Sequence, residues 1–271
     1  MLERQRLASD AARAEHDPAF PRRVARRRKQ GQRTARENVA DLTDPGTFVE
    51  YGRLRVAGQR KRRSLEDLIN TTPADAIVTG IACVNGDQFP SPSKSRAVIM
   101  AYDATVLAGT QGAHGHHKTD RIVAVAARMR LPVIWLCEGG GGRPGDTEGP
   151  GSIGAGLAVS SFTAFGRLSG LVPLVGVVSG YCFAGNAAFL GCCDVIIATK
   201  ISNVGMAGPA MIVSGHPQGS PSPSHTPTPL THPPYTHTHT HTLCAGPPPA
   251  AAVDTPPRPY RLHQCSHRTL R

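Results

Sequence analysis

Short apolar runs alternate with segments of helical spacing along the middle of the chain. Residues 119–131 place apolar side chains at Ile122, Val125, Ala126 and Met129, the spacing of one helix face. Runs rich in valine and isoleucine predict strands over residues 76–84, 97–107, 132–137, 173–178 and 195–198. Further helices are predicted over residues 152–168 and 184–190. Strands that alternate with helices indicate an α/β fold with parallel pairing.

Three local signals refine this pattern. Asn85-Gly86, after the first strand, is a strong hairpin signal. Ser152 is available as the N-cap of the helix over 152–168. Residues 168–193 carry no charge, but Pro173 and five glycines interrupt them, and such a backbone would leave polar groups unpaired in lipid. We therefore expect a buried strand, a turn and a buried helix in a soluble protein.

The two ends of the chain differ from this middle part. Residues 1–24 form a basic N-terminal arm, and the arginines between Arg22 and Lys29 are expected to be solvated. Residues 215–271 hold more than half of the 24 prolines and two thirds of the 12 histidines. This tail cannot bury enough apolar surface to order itself, so we predict that it is disordered.

The net charge of +11 comes mainly from the N-terminal quarter. Residues 1–64 carry 17 Lys/Arg against 8 Asp/Glu, whereas residues 65–214 carry 9 against 10. The central part is nearly neutral, which argues against nucleic acid as a partner. The seven cysteines form no C-x-x-C pair, so neither a disulfide framework nor a zinc site is indicated.

Two glycine-rich segments carry the candidate chemistry. Residues 138–149 (EGGGGRPGDTEG) follow a predicted buried strand, and residues 180–191 (GYCFAGNAAFLG) follow another and open a helix. Unshielded backbone amides in such loops can stabilise an oxyanion, an effect of roughly 3–4 kcal/mol per donor in acyl-transfer enzymes. The alternatives are a flexible surface turn for the first segment and close helix packing for the second.

Other motifs are absent or out of context. Residues 149–154 match G-x-G-x-x-G but lie eleven residues beyond a strand, without the acidic residue that a dinucleotide site needs. No P-loop and no G-x-S-x-G elbow occurs. His114, His116 and His117 lack the i, i+4 spacing of helix-borne ligands, so we predict no metal.

Five blocks of the sequence resemble one family. They are residues 26–52, 72–81, 102–121, 138–149 and 180–212, including TPADAIVTGI and YDATVLAGTQGAHGHHKTDR. In this order they resemble the N-terminal half of the carboxyltransferase of biotin-dependent acyl-CoA carboxylases, of the acetyl- or propionyl-CoA carboxylase type. The resemblance covers about residues 25–212, and we assign residues 25–214 to this domain.

The resemblance implies a crotonase-like spiral of strand-strand-helix units and a known reaction. The family moves a carboxyl group from carboxybiotin to the α-carbon of an acyl-CoA thioester, and amide pairs hold the oxyanions. It places the amides of Gly140, Gly141 and Gly142 at the thioester oxygen. It also implies a substrate-binding set. Gly109, Gly112, Ala113 and His114 match the segment that lies along CoA, and the other members are Arg143, Gly180, Ala184, Gly185 and Asn186.

The same resemblance implies the partners. Carboxybiotin would arrive on a carrier domain and is not attached to this chain, and biotin carboxyl carrier and biotin carboxylase modules would be partners. The family is homo-oligomeric, and its second crotonase-like domain is missing here after Ile212. We therefore expect exposed apolar surface and an inactive chain on its own. No membrane partner is expected, and the predicted compartment is the cytoplasm, with mitochondrion and plastid as alternatives.

Two further expectations accompany this interpretation. Val213-Ser214 is what a retained intron beginning GTGAGT would encode in frame, so residues 215–271 are expected to come from mis-spliced or misread sequence. A different crotonase-fold enzyme, such as a hydratase with Glu138 and Glu148 as its acid-base pair, is the main alternative function. A non-catalytic binding protein is the other.

Overall fold

The structure, a computed structural model, describes residues 2–143, 145–148 and 159–207. The tail predicted over residues 215–271 lies outside these described residues, and so does Ser152, the predicted N-cap. Of the helix predicted over residues 152–168, only the part from residue 159 onward is described.

Eight α-helices occur in the described ranges. They are α1 (Leu2–Leu7), α2 (Asp10–His16), α3 (Phe20–Lys29), α4 (Ala35–Leu42), α5 (Leu65–Thr71), α6 (Ala113–Met129), α7 (Ser161–Gly166) and α8 (Gly185–Gly191). Side-chain oxygens of Ser9, Thr34 and Ser64 cap α2, α4 and α5. At α4 the cap is a reciprocal capping box with Glu37, which satisfies two of the free amides of the first turn.

The strands of the described residues form one six-stranded sheet and one two-stranded sheet. They are β1 (Val49–Tyr51), β2 (Ile77–Cys83), β3 (Arg96–Tyr102), β4 (Val133–Leu136), β5 (Leu174–Val178), β6 (Tyr181–Phe183), β7 (Val195–Ala198) and β8 (Asn203–Gly205). The large sheet has the order β1-β2-β3-β4-β5-β7, and β6 pairs with β8. From β3 to β7 the neighbours are parallel, which confirms the predicted α/β fold with parallel pairing.

The predicted hairpin is present but its connection is longer than a two-residue turn. β2 and β3 pair antiparallel from Ile77 opposite Tyr102 to Cys83 opposite Arg96. Between them, the Asp44 carboxylate accepts the amides of Asn85 and Gly86. β3 is also shorter than the predicted run, because the Asp103 carboxylate accepts the Thr105 amide and turns the chain.

Aromatic rings fill the core between the large sheet and helices α6, α7 and α8. Trp135 is fully buried, with its ring centroid 4.8 Å from that of Phe165 and 4.5 Å from that of Phe189. A second apolar cluster, which includes Ala35 and Val39 of α4, covers β2 and β3. The central strands are therefore covered on both faces, as their near-continuous apolar sequences require.

The basic N-terminal arm packs onto the domain. Arg13 is fully buried, and its guanidinium lies 2.9 Å from the Asp103 carboxylate, next to the C-terminal end of β3. Phe20 is buried as well, with the Arg13 guanidinium 4.0 Å from its ring centroid. The expectation that the arginines from 22 to 29 are all solvated is wrong for Arg27, which is 9% exposed and paired with Glu138.

The uncharged stretch over residues 168–193 folds as the sequence pattern indicates. It contains β5, the short β6 and the buried face of α8, on which Phe189 and Leu190 are at most 2% exposed. No helix in the described ranges is long and apolar enough to cross a membrane.

Apolar side chains are exposed at the last strands of both sheets. On β7, Val195, Ile196 and Ile197 are each about half exposed, and on β8 Val204 is equally exposed. Both faces of β7 are open, although its sequence is that of a buried parallel strand. The expectation of exposed apolar surface is met here.

A buried lysine lies under the chain before β2. Lys118 of α6 is 6% exposed, and its ammonium group donates to the carbonyl oxygens of Ala74, at 2.8 Å, and Ile77. Ala74, Asp75 and Ala76 all have positive φ, so three successive non-glycine residues adopt a left-handed conformation there. Burial lowers the pKa of Lys118 from its ordinary value of 10.5 to about 7.

Lys118 should make stability depend on pH. Between about pH 7 and pH 10 the unfolded state holds a proton that the folded state lacks, so the free energy of unfolding rises with pH, by at most about 1.4 kcal/mol per unit. We expect K118M to lose this slope in urea unfolding measured across that range. K94M, at an exposed lysine, should keep the wild-type slope, and equal slopes in K118M and K94M would contradict the assignment.

Candidate functional site

Three chain segments meet where β3, β4 and β5 end. These strands are parallel, so the segments that follow them, around residues 107–112, 138–143 and 179–186, leave the sheet at one edge. Isolated bridges join Gln111 to Gly142 and Gly139 to Cys182. The structure therefore brings together both glycine-rich segments and the segment predicted to contact CoA.

The four consecutive glycines have different surroundings. The Gly139 amide donates to Tyr181 O at 2.7 Å, and the Gly140 amide donates to Ala108 O at 3.0 Å. The Gly141 amide donates to Asn186 Oδ1 at 2.9 Å. Among the described residues, the Gly142 amide has no acceptor.

This arrangement narrows the predicted set of oxyanion donors. Gly140 and Gly141 were predicted to offer their amides to a substrate, but both amides are hydrogen-bonded within the protein. Gly142 is the member of the predicted trio whose amide is free within the described ranges. The Gly185 amide, at the first position of α8, likewise has no acceptor there. Gly142 pairs with Gln111 in the isolated bridge, and a Cβ on Gly185 would overlap the Gln111 side-chain oxygen, so both glycine residues lie next to Gln111.

Close packing explains why the loops need glycine. A Cβ on Gly139 would overlap the Asn186 side chain and Gly109 O. Gly180 has φ of +126°, and a Cβ there would lie 2.7 Å from Glu138 Oε1. Ala184 precedes α8 with φ of +49° and donates its amide to Gly205 O at 2.9 Å. These positions define the shape of the site.

A cavity of about 600 Å³ opens next to these loops. Its floor includes Ala108, Gly139, Gly140 and Gly180. Its walls include Tyr181 and Phe183 of β6, and its basic side is formed by three arginines of α3: Arg23, Arg26 and Arg27. A larger cavity of about 720 Å³ lies between β1 and α6, but it contains none of the glycine-loop residues.

Glu138, beside the glycines, is paired with the N-terminal helices. Both of its carboxylate oxygens lie 2.7 Å from the two terminal nitrogens of Arg27, and Gln32 Nε2 lies 3.3 Å from Oε1. Gln32 also donates to Ser179 O at 2.5 Å. Bidentate pairing of this kind fixes orientation as well as charge. It places α3 directly over the loop that follows β4.

The proposed acid-base pair of a hydratase has separate surroundings. Glu138 is engaged by Arg27. Glu148 accepts the Arg60 amide at 3.1 Å, and its other oxygen lies 3.9 Å from His114 Nε2. The two carboxylates contact different parts of the chain, so this arrangement does not favour the hydratase alternative.

Arg143 is buried in a charge network. Its side chain is 3% exposed, and Nη1 lies 2.5 Å from Asp75 Oδ1 and 3.3 Å from Asp146 Oδ2. Nη2 donates to Thr110 O at 2.8 Å. Burial raises the pKa of Asp75, against the lowering effect of Arg143. Arg143, predicted to bind substrate, therefore holds the left-handed turn and the glycine loop together.

The predicted CoA segment lies at the start of α6. Gly112 is the N-cap of α6, where a Cβ would overlap Asp146. Gly109 has φ of +65° and packs against the Gly139 backbone. His114, one residue after Ala113, places Nδ1 2.8 Å from Val56 O. Of these four residues none lines the 600 Å³ cavity; Ala108 of the same segment does.

Histidines do not form a metal centre in the described ranges. No group of three His, Cys, Asp or Glu residues there could hold a metal ion. His116 Nδ1 instead lies 3.1 Å from Ser161 Oγ, which also donates to Asp120 at 2.6 Å. Burial lowers the pKa of His116. This cluster joins α6 to α7.

Three residues that contact the site were not predicted from the sequence, because they belong to segments distant in the chain. Arg27, Gln32 and Asp75 reach it from segments 60 or more residues before the glycine loop. The resemblance covered all three positions, but no local motif marks them. Their pairing with Glu138, Ser179 and Arg143 depends on tertiary contacts alone.

The sequence matches the carboxyl transferase domain family over residues 26–218, and the chain belongs to this family. It is 31% identical to the 12S subunit of methylmalonyl-CoA carboxyltransferase from Propionibacterium freudenreichii subsp. shermanii, over 71% of this chain and 34% of that subunit. It is 32% identical to the mitochondrial propionyl-CoA carboxylase beta chain of Homo sapiens, over 62% of this chain and 29% of that one.

Solved structures agree with this assignment. A single-chain, multi-domain long-chain acyl-CoA carboxylase superimposes with a TM-score of 0.69 and 56% identity, over 79% of this chain and 20% of that chain. The transcarboxylase 12S hexamer superimposes with a TM-score of 0.59 and 28% identity, over 74% of this chain and 38% of that chain. The fold is the crotonase-like fold of these carboxyltransferases. The chain spans about a third of the length of the curated relatives it matches.

The Arg143 network should carry much of the stability of the loop region. We expect R143M to lose about 3–5 kcal/mol of unfolding free energy, because Asp75 would be left as an uncompensated buried charge. Urea unfolding at neutral pH measures this change. R128M, at an exposed arginine of α6, should change stability by less than about 0.5 kcal/mol. An R143M effect as small as that of R128M would show that the network is not structural.

Proposed function

We propose that this chain binds an acyl-CoA thioester at the 600 Å³ cavity and forms the acyl-CoA side of a carboxyltransferase site. The observation that carries the proposal is the composition of this cavity. Glycine backbone from two loops lines its floor, and arginines of α3 line one side. Acyl-CoA matches both kinds of lining, because it has anionic phosphates at one end, which suit the arginines, and a thioester at the other, which suits the glycine backbone. Arginine is well suited to bind phosphate.

The thioester end would extend past the residues that line this cavity, toward the free amides of Gly142 and Gly185, which are not among its lining residues. Gly142 and Gly185 have amides without acceptors in the described ranges, and both residues are neighbours of Gln111. Donation by both amides to the thioester oxygen would stabilise the enolate that forms when the α-proton leaves. Each such donor contributes about 3–4 kcal/mol in comparable acyl-transfer sites. The amides of Gly140 and Gly141 could donate to the thioester oxygen only if they gave up their present acceptors, Ala108 O and Asn186 Oδ1.

The phosphate end would lie toward α3. Arg27 is already paired with Glu138, and Arg23 with Asp17. Arg26 is exposed, lines the cavity and makes no ion pair within the described part of the chain. It is therefore the arginine that is available for a phosphate.

The complete reaction would need components outside this chain. Carboxybiotin, carried on a separate module, would supply the carboxyl group. Biotin carboxyl carrier and biotin carboxylase modules would be the partners, and homo-oligomer formation would use the exposed apolar strands β7 and β8. This chain's own residues would hold the acyl-CoA, orient its thioester and stabilise the enolate. Family membership and the relatives named for propionyl-CoA, methylmalonyl-CoA and long-chain acyl-CoA support an acyl-CoA as the substrate class.

Calorimetric titration of the 271-residue protein with propionyl-CoA tests the binding proposal. We expect R26A to weaken binding about five- to tenfold, since a charge-assisted phosphate contact contributes roughly 1–1.5 kcal/mol. R121A removes the same charge at the rim of the other cavity and should change the affinity by less than about twofold. If R121A weakens binding and R26A does not, the ligand occupies the cavity between β1 and α6, and the proposed site is wrong.

Crotonyl-CoA separates the hydratase alternative from this proposal. Because Glu138 is held by Arg27 and Glu148 lies elsewhere, we expect the protein to bind crotonyl-CoA without hydrating it. The loss of crotonyl-CoA absorbance over time measures hydration. Hydration that is abolished by E138Q and E148Q alike would favour the alternative function.

A further inference from the structure

A fully buried asparagine lies between the glycine loops. Asn186 is 0% exposed, and its side chain makes hydrogen bonds to two different backbone segments. Its Oδ1 accepts the Gly141 amide at 2.9 Å, and its Nδ2 donates to Gly109 O at 3.3 Å. A buried side-chain amide is costly without such partners, and here donor and acceptor are both used.

Asn186 is sterically matched to the glycines around it. A Cβ on Gly139 would overlap Asn186 Nδ2, so a residue with a side chain at position 139 could not coexist with the asparagine. Gly109, which receives the second hydrogen bond, has φ of +65° and packs against Gly139. Asn186 thus occupies space that Gly139 leaves open.

The contacts of Asn186 join the two residues with free amides. Asn186 follows Gly185 directly in the chain, and it binds the Gly141 amide, one residue before Gly142. The other side of Gly142 is held by Gln111, whose amide donates to Gly141 O at 2.7 Å and whose carbonyl accepts the Arg143 amide at 2.8 Å. The Asn186 side chain therefore links the loop that contains Gly142 to the start of α8, where Gly185 lies.

We propose that Asn186 is a positioning residue of the acyl-CoA site, which aligns the amides of Gly142 and Gly185 without contacting the substrate itself. This inference rests on the proposed function. It differs from a direct substrate-binding role, because both polar atoms of the side chain are used by the protein. The N186A variant would leave the Gly141 amide and Gly109 O without their partner. The loop would then lose its link to α8, whereas the arginine side of the cavity would be unchanged.

Infrared spectroscopy of bound propionyl-CoA, labelled with ¹³C at the thioester carbonyl, tests this role. In the wild-type protein we expect the carbonyl band to shift to lower frequency, as aligned amide donors polarise the bond. N186A should keep its affinity for propionyl-CoA within about threefold but lose most of the band shift. N70A, which replaces an asparagine of α5 that has no side-chain hydrogen bond among the described residues, should match the wild type.

The outcomes separate the two proposals. If the wild-type protein does not bind propionyl-CoA, the proposed function fails. If the wild type binds with a band shift and N186A retains that shift, only the positioning role is overturned. A folded N186A variant that loses binding altogether would also overturn it, since Asn186 would then be part of the binding surface. Circular dichroism verifies the fold of each variant.

A second variant covers the case in which N186A does not fold. N186D keeps an acceptor for the Gly141 amide and loses the donor to Gly109 O. We expect it to retain most of the band shift and to keep the Gly141 amide protected from hydrogen exchange. Rapid exchange at Gly141 in a folded N186D protein would show that the hydrogen bond between residue 186 and the Gly141 amide is lost. If that protein still gave the wild-type band shift, this hydrogen bond would not be needed to align the amides, and the proposal would be overturned.

Discussion

The parallel pairing of β3, β4 and β5 is the constraint on which the site depends. Parallel neighbours end at the same edge of a sheet, so the three segments that follow them must share a small volume. They fit only because the closest positions are glycine, where Gly139 meets Asn186 and Gly180 meets Glu138. Glycine backbone therefore lines part of the cavity.

The N-terminal helices complete this edge. Arg27 binds Glu138 in the loop after β4, and Gln32 binds both Glu138 and the Ser179 carbonyl after β5. These contacts link the segments after β4 and β5 to the N-terminal part of the chain. Arg13 does the same for the end of β3 through Asp103. The basic charge of the first residues, which by composition alone resembles a nucleic-acid signal, is therefore used partly in buried pairs and partly along the cavity.

The two ends of the large sheet differ in how they are covered. At β2 and β3, α4 and α6 lie over the apolar faces, whereas β7 exposes valine and isoleucine on both faces. A strand with this sequence is usually covered on both faces in a parallel sheet. The matched part of this chain covers about a third of its curated relatives, and the 12S transcarboxylase is described as a hexamer.

The sequence by itself determined the five central strands β2, β3, β4, β5 and β7 with the helices between them, the parallel sheet, the two glycine-rich segments and the family. These features depend on local periodicity and on contiguous motifs, which remain readable in one dimension. The tertiary structure alone decided which amides are free. Gly140 and Gly141 belong to the same run of four glycines as Gly142, yet their acceptors, Ala108 O and Asn186 Oδ1, come from other segments. It also decided that Arg143 is buried against Asp75, because a left-handed turn 68 residues earlier brings that carboxylate to it. Hydrogen bonds between distant segments leave no periodic signal in the sequence, so only the folded chain reveals them.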